Sequence, residues 1–114
     1  MSQRESRRAE RYPVAQPVTV VDTMTGHTIG RIANISESGM LLIANAELVE
    51  DALYQLQFQP SHGAAIDVGA HLLWNSPAST PGQSWAGVRF LTVSASHREA
   101  LRHWLGALAA AGPT

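Results

Sequence analysis

The chain has 114 residues, 45% of them hydrophobic, no cysteine and a formal net charge of −1, which bounds it to one small domain with a modest core. No disulfide framework or thiolate metal site is available, no apolar run has the length of a membrane span, and the near-neutral charge sets up no global field toward nucleic acid. The charge is nevertheless uneven: all eight basic residues are arginine, and four of them (Arg4, Arg7, Arg8 and Arg11) fall in the first eleven positions, leaving residues 12–114 net acidic.

Residues 1–11 are polar and lack periodicity, so they are expected to form a flexible arm, followed by a folded domain over 12–112. This arm has no apolar h-region, which excludes a secretory signal and gives the expectation of a cytoplasmic protein. Residues 14–22 (VAQPVTVVD) are rich in β-branched side chains and predict a first strand, with Pro17 at an edge or a bulge. A turn at 23–26 leads to a second strand at 27–35, where Gly30 marks a candidate bulge. After SESG a short buried strand follows at 40–44. Residues 53–59 alternate, with Tyr54, Leu56 and Phe58 on one side and Gln55, Gln57 and Gln59 on the other. Residues 65–75 place Ile66, Val68, Ala70, Leu72 and Trp74 on one face, which assigns Trp74 to the core. A Pro/Ser/Gly-rich loop at 76–84 precedes the last strand, 85–91, with Val88 and Phe90 inward and Arg89 outward. Trp85 and Trp104 are expected to pack.

The period then changes. Leu101, Trp104, Leu105 and Leu108 form one apolar stripe of a helix over about 94–111. Ser96 and Glu99 have capping-box spacing, and Gly112–Pro113 stops the helix. Six short strands with no helix between them predict an all-β, six-stranded antiparallel β-barrel carrying a flexible N-terminal arm and one C-terminal α-helix that covers an end or edge.

If the first two strands pair about the turn at 23–26, the partners' numbers sum to about 49. Asn34 then lies opposite Ala15 or its neighbours, so NISESG (34–39) sits beside the root of the arginine arm. Arginine pairs bidentately with phosphate or with the O6/N7 edge of guanine, and it stacks on bases. Asn34 and Ser36, two apart on extended chain, are expected on one face. Gly39 permits positive φ or close approach of a ligand. A guanine nucleotide with phosphates fits such a site.

Arg7-x-x-x-Arg11 followed by Tyr-Pro-Val, and then Asn34-x-Ser36-x-x-Gly39, resembles the PilZ domain family, as do HLLW and WAGVRF further on. The resemblance implies a non-enzymatic receptor for cyclic di-GMP. Arg7 and Arg11 would grip the guanines and phosphates, Asn34 and Ser36 would contact the base from the barrel, and Gly39 would permit the tight turn. Asn stands at 34 where Asp is commoner in the family, which removes a charge. Arg4 and Arg8 form an overlapping Arg-x-x-x-Arg. Arg8, Trp74 and Arg89 are secondary candidates for the ligand site. No cofactor other than the ligand is implied. The expected partners are cyclic di-GMP and an unidentified effector protein acted on in trans, with no membrane, in a monomer or a ligand-dependent dimer.

Enzymatic motifs are missing: there is no HExxH, no nucleophile elbow and no Walker loop, and none of the five histidines forms a helical i, i+4 pair. Two other functions compete. A single-stranded nucleic-acid-binding barrel is opposed by the acidic barrel and by the absence of aromatics among the arm's arginines. A PilZ-like adaptor without ligand is opposed by the intact motifs.

Overall fold

The computed structural model describes residues 10–111. Its elements in chain order are β1 (Tyr12–Pro13), β2 (Thr19–Asp22), β3 (His27–Ile35), β4 (Gly39–Ala44), β5 (Leu53–Phe58), β6 (Ile66–Pro77), β7 (Ser84–Thr92) and the helix α1 (Ala95–Ala111). Strands β3-β2-β5-β6-β7-β4 are hydrogen-bonded in that order, and β4 returns to β3, so six antiparallel strands close a barrel. The short β1 is an added strand, continuing along the same edge of β3 that β2 occupies.

The expected first strand is split in two. Val14 N donates to the Ala33 carbonyl and Ile32 N to the Val18 carbonyl, each at 3.0 Å. Residues 15–17 between them leave the ladder, because Pro17 has no N–H to donate. The Ser61 hydroxyl donates to Gln16 Oε1 at 2.9 Å, tying this excursion to the β5–β6 loop. The hairpin register lands close to the expectation, with Pro13 rather than Ala15 opposite Asn34.

Alternation along the strands decides the core. Met40, Leu42 and Ala44 of β4 are buried, while Leu41 and Ile43 between them face outward and are half-covered. Leu56 and Phe58 of β5, Ile66, Val68, Ala70 and Leu72 of β6, and Val20, Ile32 and Ile35 complete the interior. Leu101 and Leu105 of α1 enter the same cluster, with Trp104 and Leu108 packed beside them. The Trp104 ring lies 6.0 Å from that of Phe58, so α1 closes the barrel end that carries the β3–β4 turn, as its apolar stripe predicts.

Two expectations are corrected. The helix is capped by Ser94, not Ser96: Ser94 Oγ accepts from His97 N and the Ser94 carbonyl from Arg98 N. Helical hydrogen bonding thus begins before Ser96, which leaves no free N-cap for the Ser96–Glu99 pair. Trp74 is not core. Between Leu72 and Trp74 the β6–β7 register shifts by one residue, so alternation breaks after Leu72, and both Leu73 and Trp74 emerge, Trp74 with 42% of its surface exposed. Trp85 likewise lies on the surface.

Candidate ligand-binding site

Asn34 belongs to β3 just after a second register shift. Ile32 pairs with Leu42 but Asn34 with Leu41, which leaves Ala33 as the extra residue. The shift turns Asn34 to the outside while Ile35 remains fully buried. Across the strands Asn34 faces Leu41, Leu41 faces Gly87, and Gly87 faces Trp74. These four residues therefore form one row over the outer face of β3, β4, β7 and β6. Neighbouring strands lie about 4.8 Å apart, so the row spans about 14 Å.

Each position in the row has a physical reason. Gly87 has no side chain, and the Trp74 indole rests against its Cα; a β-carbon there would collide with the indole nitrogen and ring. Leu41 supplies an apolar floor. One row along, Arg31, Ile43 and Trp85 stand side by side. On the other flank Gly39 faces Arg89, and Arg89 faces His71, whose Nε2 lies 2.9 Å from Asp51 Oδ1. The outer face thus carries an amide, two exposed indoles and exposed guanidinium groups around a small apolar floor.

The arm meets this face through Arg11, whose Nη1 donates to Asn34 Oδ1 at 2.9 Å. The structure therefore brings the two sequence motifs into direct contact, one residue of each. Beside Arg11, the Tyr12 hydroxyl donates to Glu10 Oε1 at 3.4 Å. Its pKa is raised above the ordinary tyrosine value, by lost hydration first and then by the Glu10 carboxylate. Arg4, Arg7 and Arg8 lie outside the described residues.

Ser36 departs from its expected place. It is fully buried rather than beside Asn34 on the surface. Its hydroxyl donates to the Gly39 carbonyl at 3.3 Å and accepts from Ser38 N at 3.2 Å, while its own N–H bonds the same Gly39 carbonyl at 2.8 Å. A short hydroxyl side chain satisfying nearby backbone groups is a turn device. Gly39 departs too. Its φ is not in the left-handed region, where the described glycines are Gly26 and Gly82. What requires glycine at 39 is β7: a β-carbon would run into the Val88 carbonyl oxygen. The same turn is tied outward as well, since Phe90 N donates to the Ser38 carbonyl and Arg102 of α1 bonds Glu37 at 2.7 Å.

A separate groove of about 990 Å³ lies between the arm root, the β5–β6 loop and α1, lined among others by Val14, His62, Trp104 and Leu108. Among the described residues none of the row lines this groove; the two adjoin through Arg11, which lines the groove and bonds Asn34. Leu41 and Gly87 were missed by the sequence reading. A glycine inside a strand marks close approach of another group, so WAGVRF carried a signal for Gly87; nothing in the sequence marked Leu41.

Among the described residues no helix is long and apolar enough to cross a membrane, and no group of three or more His, Cys, Asp or Glu residues could hold a metal ion. The family model for the PilZ domain matches residues 5–107. Solved structures that share the fold include the following three. YcgR of Escherichia coli in complex with c-di-GMP is similar with a TM-score of 0.73 at 24% identity, over 90% of this chain and 46% of that one. The PilZ domain of the same protein with c-di-GMP gives 0.71 at 21% identity, over 90% and 91%. The Bacillus subtilis inhibitor of motility MotI/DgrA gives 0.72 at 13% identity, over 95% and 53%. This chain thus spans about half the length of the YcgR chain in the first structure and of the MotI/DgrA chain. A comparison with curated protein sequences gave no match.

Proposed function

The chain belongs to the PilZ domain family, whose members are ligand-binding receptors and adaptors rather than enzymes, and from that premise we propose that it is a receptor for cyclic di-GMP. The observation that carries this reading is the hydrogen bond from Arg11 to Asn34. It joins the arginine motif to one end of a row that ends in an exposed indole. A guanine stacks on an indole or on a guanidinium plane, and arginine takes its O6/N7 edge or a phosphate bidentately. The span of about 14 Å suits a ligand with two bases.

In this reading Arg11, Arg7 and Asn34 are the polar contacts, and Trp74 is the stacking surface. Arg8 and Arg89 are auxiliary cations. Ser36 and Gly39 act as positioning residues: they hold the turn that fixes Asn34 relative to β7. Ligand binding orders the N-terminal arm, residues 1–11, against the barrel, and the new surface is read by an effector protein in trans. Ordering of a segment by a charged ligand is an established switching device. The acidic barrel and the absence of aromatics among the arm arginines continue to disfavour a single-stranded nucleic acid.

Calorimetry with cyclic di-GMP, alongside GTP and a short single-stranded RNA, tests the reading. The expected outcome is saturable binding of the cyclic dinucleotide and none of the other two. Equal binding of the RNA would transfer the site to the nucleic-acid reading.

A further inference from the structure

We propose that Asn34 relaxes base selectivity at the barrel side of the site. The chain then binds a mixed 3′,3′-cyclic dinucleotide, with one guanine and one adenine, nearly as well as cyclic di-GMP. The inference rests on the receptor reading above and concerns which ligands that site admits.

The argument begins with the amide's orientation. A guanidinium has N–H donors and no acceptor, so the Asn34 atom 2.9 Å from Arg11 Nη1 has to be the oxygen. The amide nitrogen is then directed away from Arg11, with two N–H groups that have no partner among the described residues. Asn34 is half-buried between Pro13 and Leu41 on the neighbouring strands, which restricts its freedom to turn over. A base arriving over Leu41 therefore meets a donor at this position.

An aspartate in the same place offers only acceptors when ionised. One oxygen can hold Arg11 while the other accepts from guanine N1–H and N2–H. Adenine has no N–H at N1, and its lone pair there would face a carboxylate, so an acidic residue excludes it. The Asn34 donor reads purine acceptors instead. Guanine presents O6 and N7 and adenine presents N7, so N7 is common to both. Discrimination against adenine is lost at this position. The second base lies with Arg11 of the arm, whose bidentate pairing needs both O6 and N7. Adenine carries an amino group where guanine has O6, so that position retains guanine. One guanine and one adenine is the combination this geometry admits, and two adenines are not.

Calorimetric titration of the full chain and of Asn34→Asp with cyclic di-GMP, the mixed guanine–adenine ligand and cyclic di-AMP tests the inference. One bidentate base contact discriminates by roughly tenfold or more. In the unaltered chain the mixed ligand is expected within about tenfold of cyclic di-GMP, with cyclic di-AMP weaker than both. Asn34→Asp should widen the gap between cyclic di-GMP and the mixed ligand by about tenfold or more. A preference for cyclic di-GMP over the mixed ligand beyond about tenfold in the unaltered chain overturns the inference and leaves the receptor reading standing. So does a ratio that Asn34→Asp does not change. Absence of binding by any of the three ligands overturns both. The ratio in the unaltered chain needs no variant, so it decides the matter even if Asn34→Asp fails to fold.

Discussion

The β3–β4 turn and the Trp74–Gly87 strip occupy neighbouring parts of the same barrel face, yet they are built in opposite ways. The turn closes on itself. Ser36 is buried, its hydroxyl and N–H both engage the Gly39 carbonyl, and Gly39 is pressed against the Val88 backbone. The strip opens outward, with Trp74 lying on a glycine and 42% exposed. Both depend on a missing β-carbon. At Gly39 the obstacle is backbone, and at Gly87 it is a side chain that can move. The lesson is that residues adjacent in a motif divide their labour: Asn34 faces outward beside Arg11, whereas Ser36 and Gly39 hold the turn.

The largest effect should come from Gly39→Ala. An added methyl directed into the β7 backbone is expected to cost about 3 kcal/mol or more of folding stability. A urea melt beside a cyclic di-GMP titration measures both properties on one sample, and binding should fall only as far as unfolding requires. A variant that melts normally and binds weakly would move Gly39 from the frame to the ligand surface and dissolve the contrast.

Arg11→Ala should reverse the pattern. Hydrogen bonds to charged groups contribute about 1.5–3 kcal/mol each, so affinity is expected to drop by about one to two decades. Arg11 is exposed, and the melting curve should stay within about 0.5 kcal/mol of the parent. Unchanged titrations would break the receptor reading at its root.

Trp74→Ala sharpens the other end of the row. Loss of a stacking surface is expected to weaken binding by about 1–3 kcal/mol per base. The fold should tolerate the change, because the ring sits outside the barrel. The check is a titration together with indole fluorescence: quenching on ligand addition should shrink in the variant, whereas full quenching would place the stacked base on another tryptophan.

Ser36→Ala is expected to be the mildest. It removes a buried hydroxyl that serves Ser38 N and the Gly39 carbonyl, at about 1 kcal/mol of stability. Amide hydrogen exchange should speed up at Ser38 more than in β5 or β6. If affinity fell by a decade while exchange stayed unchanged, Ser36 would be a direct contact.

Much of the fold was legible in the sequence. The 27–35 strand has the bounds its pattern predicts, and so, within a residue or two, do β4, β5 and β7. The helix stripe at Leu101, Trp104, Leu105 and Leu108 identified the face that closes the barrel. Period-2 and period-3.6 patterns survive because each strand or helix buries one side, and that need is written locally. The spacing of the two motifs about one hairpin also placed Asn34 beside the arm, since antiparallel pairing follows from a short turn.

Tertiary structure decided what periodicity cannot carry through an insertion. A one-residue register shift moves every later side chain to the other face. The shift after Leu72 therefore took Trp74 out of the core, and the shift at Ala33 turned Asn34 outward. Neither has a local signal, because each arises from the partner strand. The direction of Ser36 and the reason for Gly39 were hidden likewise: one lies in a turn that folds its own hydroxyl inward, the other in the approach of a strand some fifty residues later in the chain. Sequence determines which residues are candidates, since it sets chemistry and local period. Only the closed barrel determines which of them share a surface, because that depends on registers between strands that are distant along the chain.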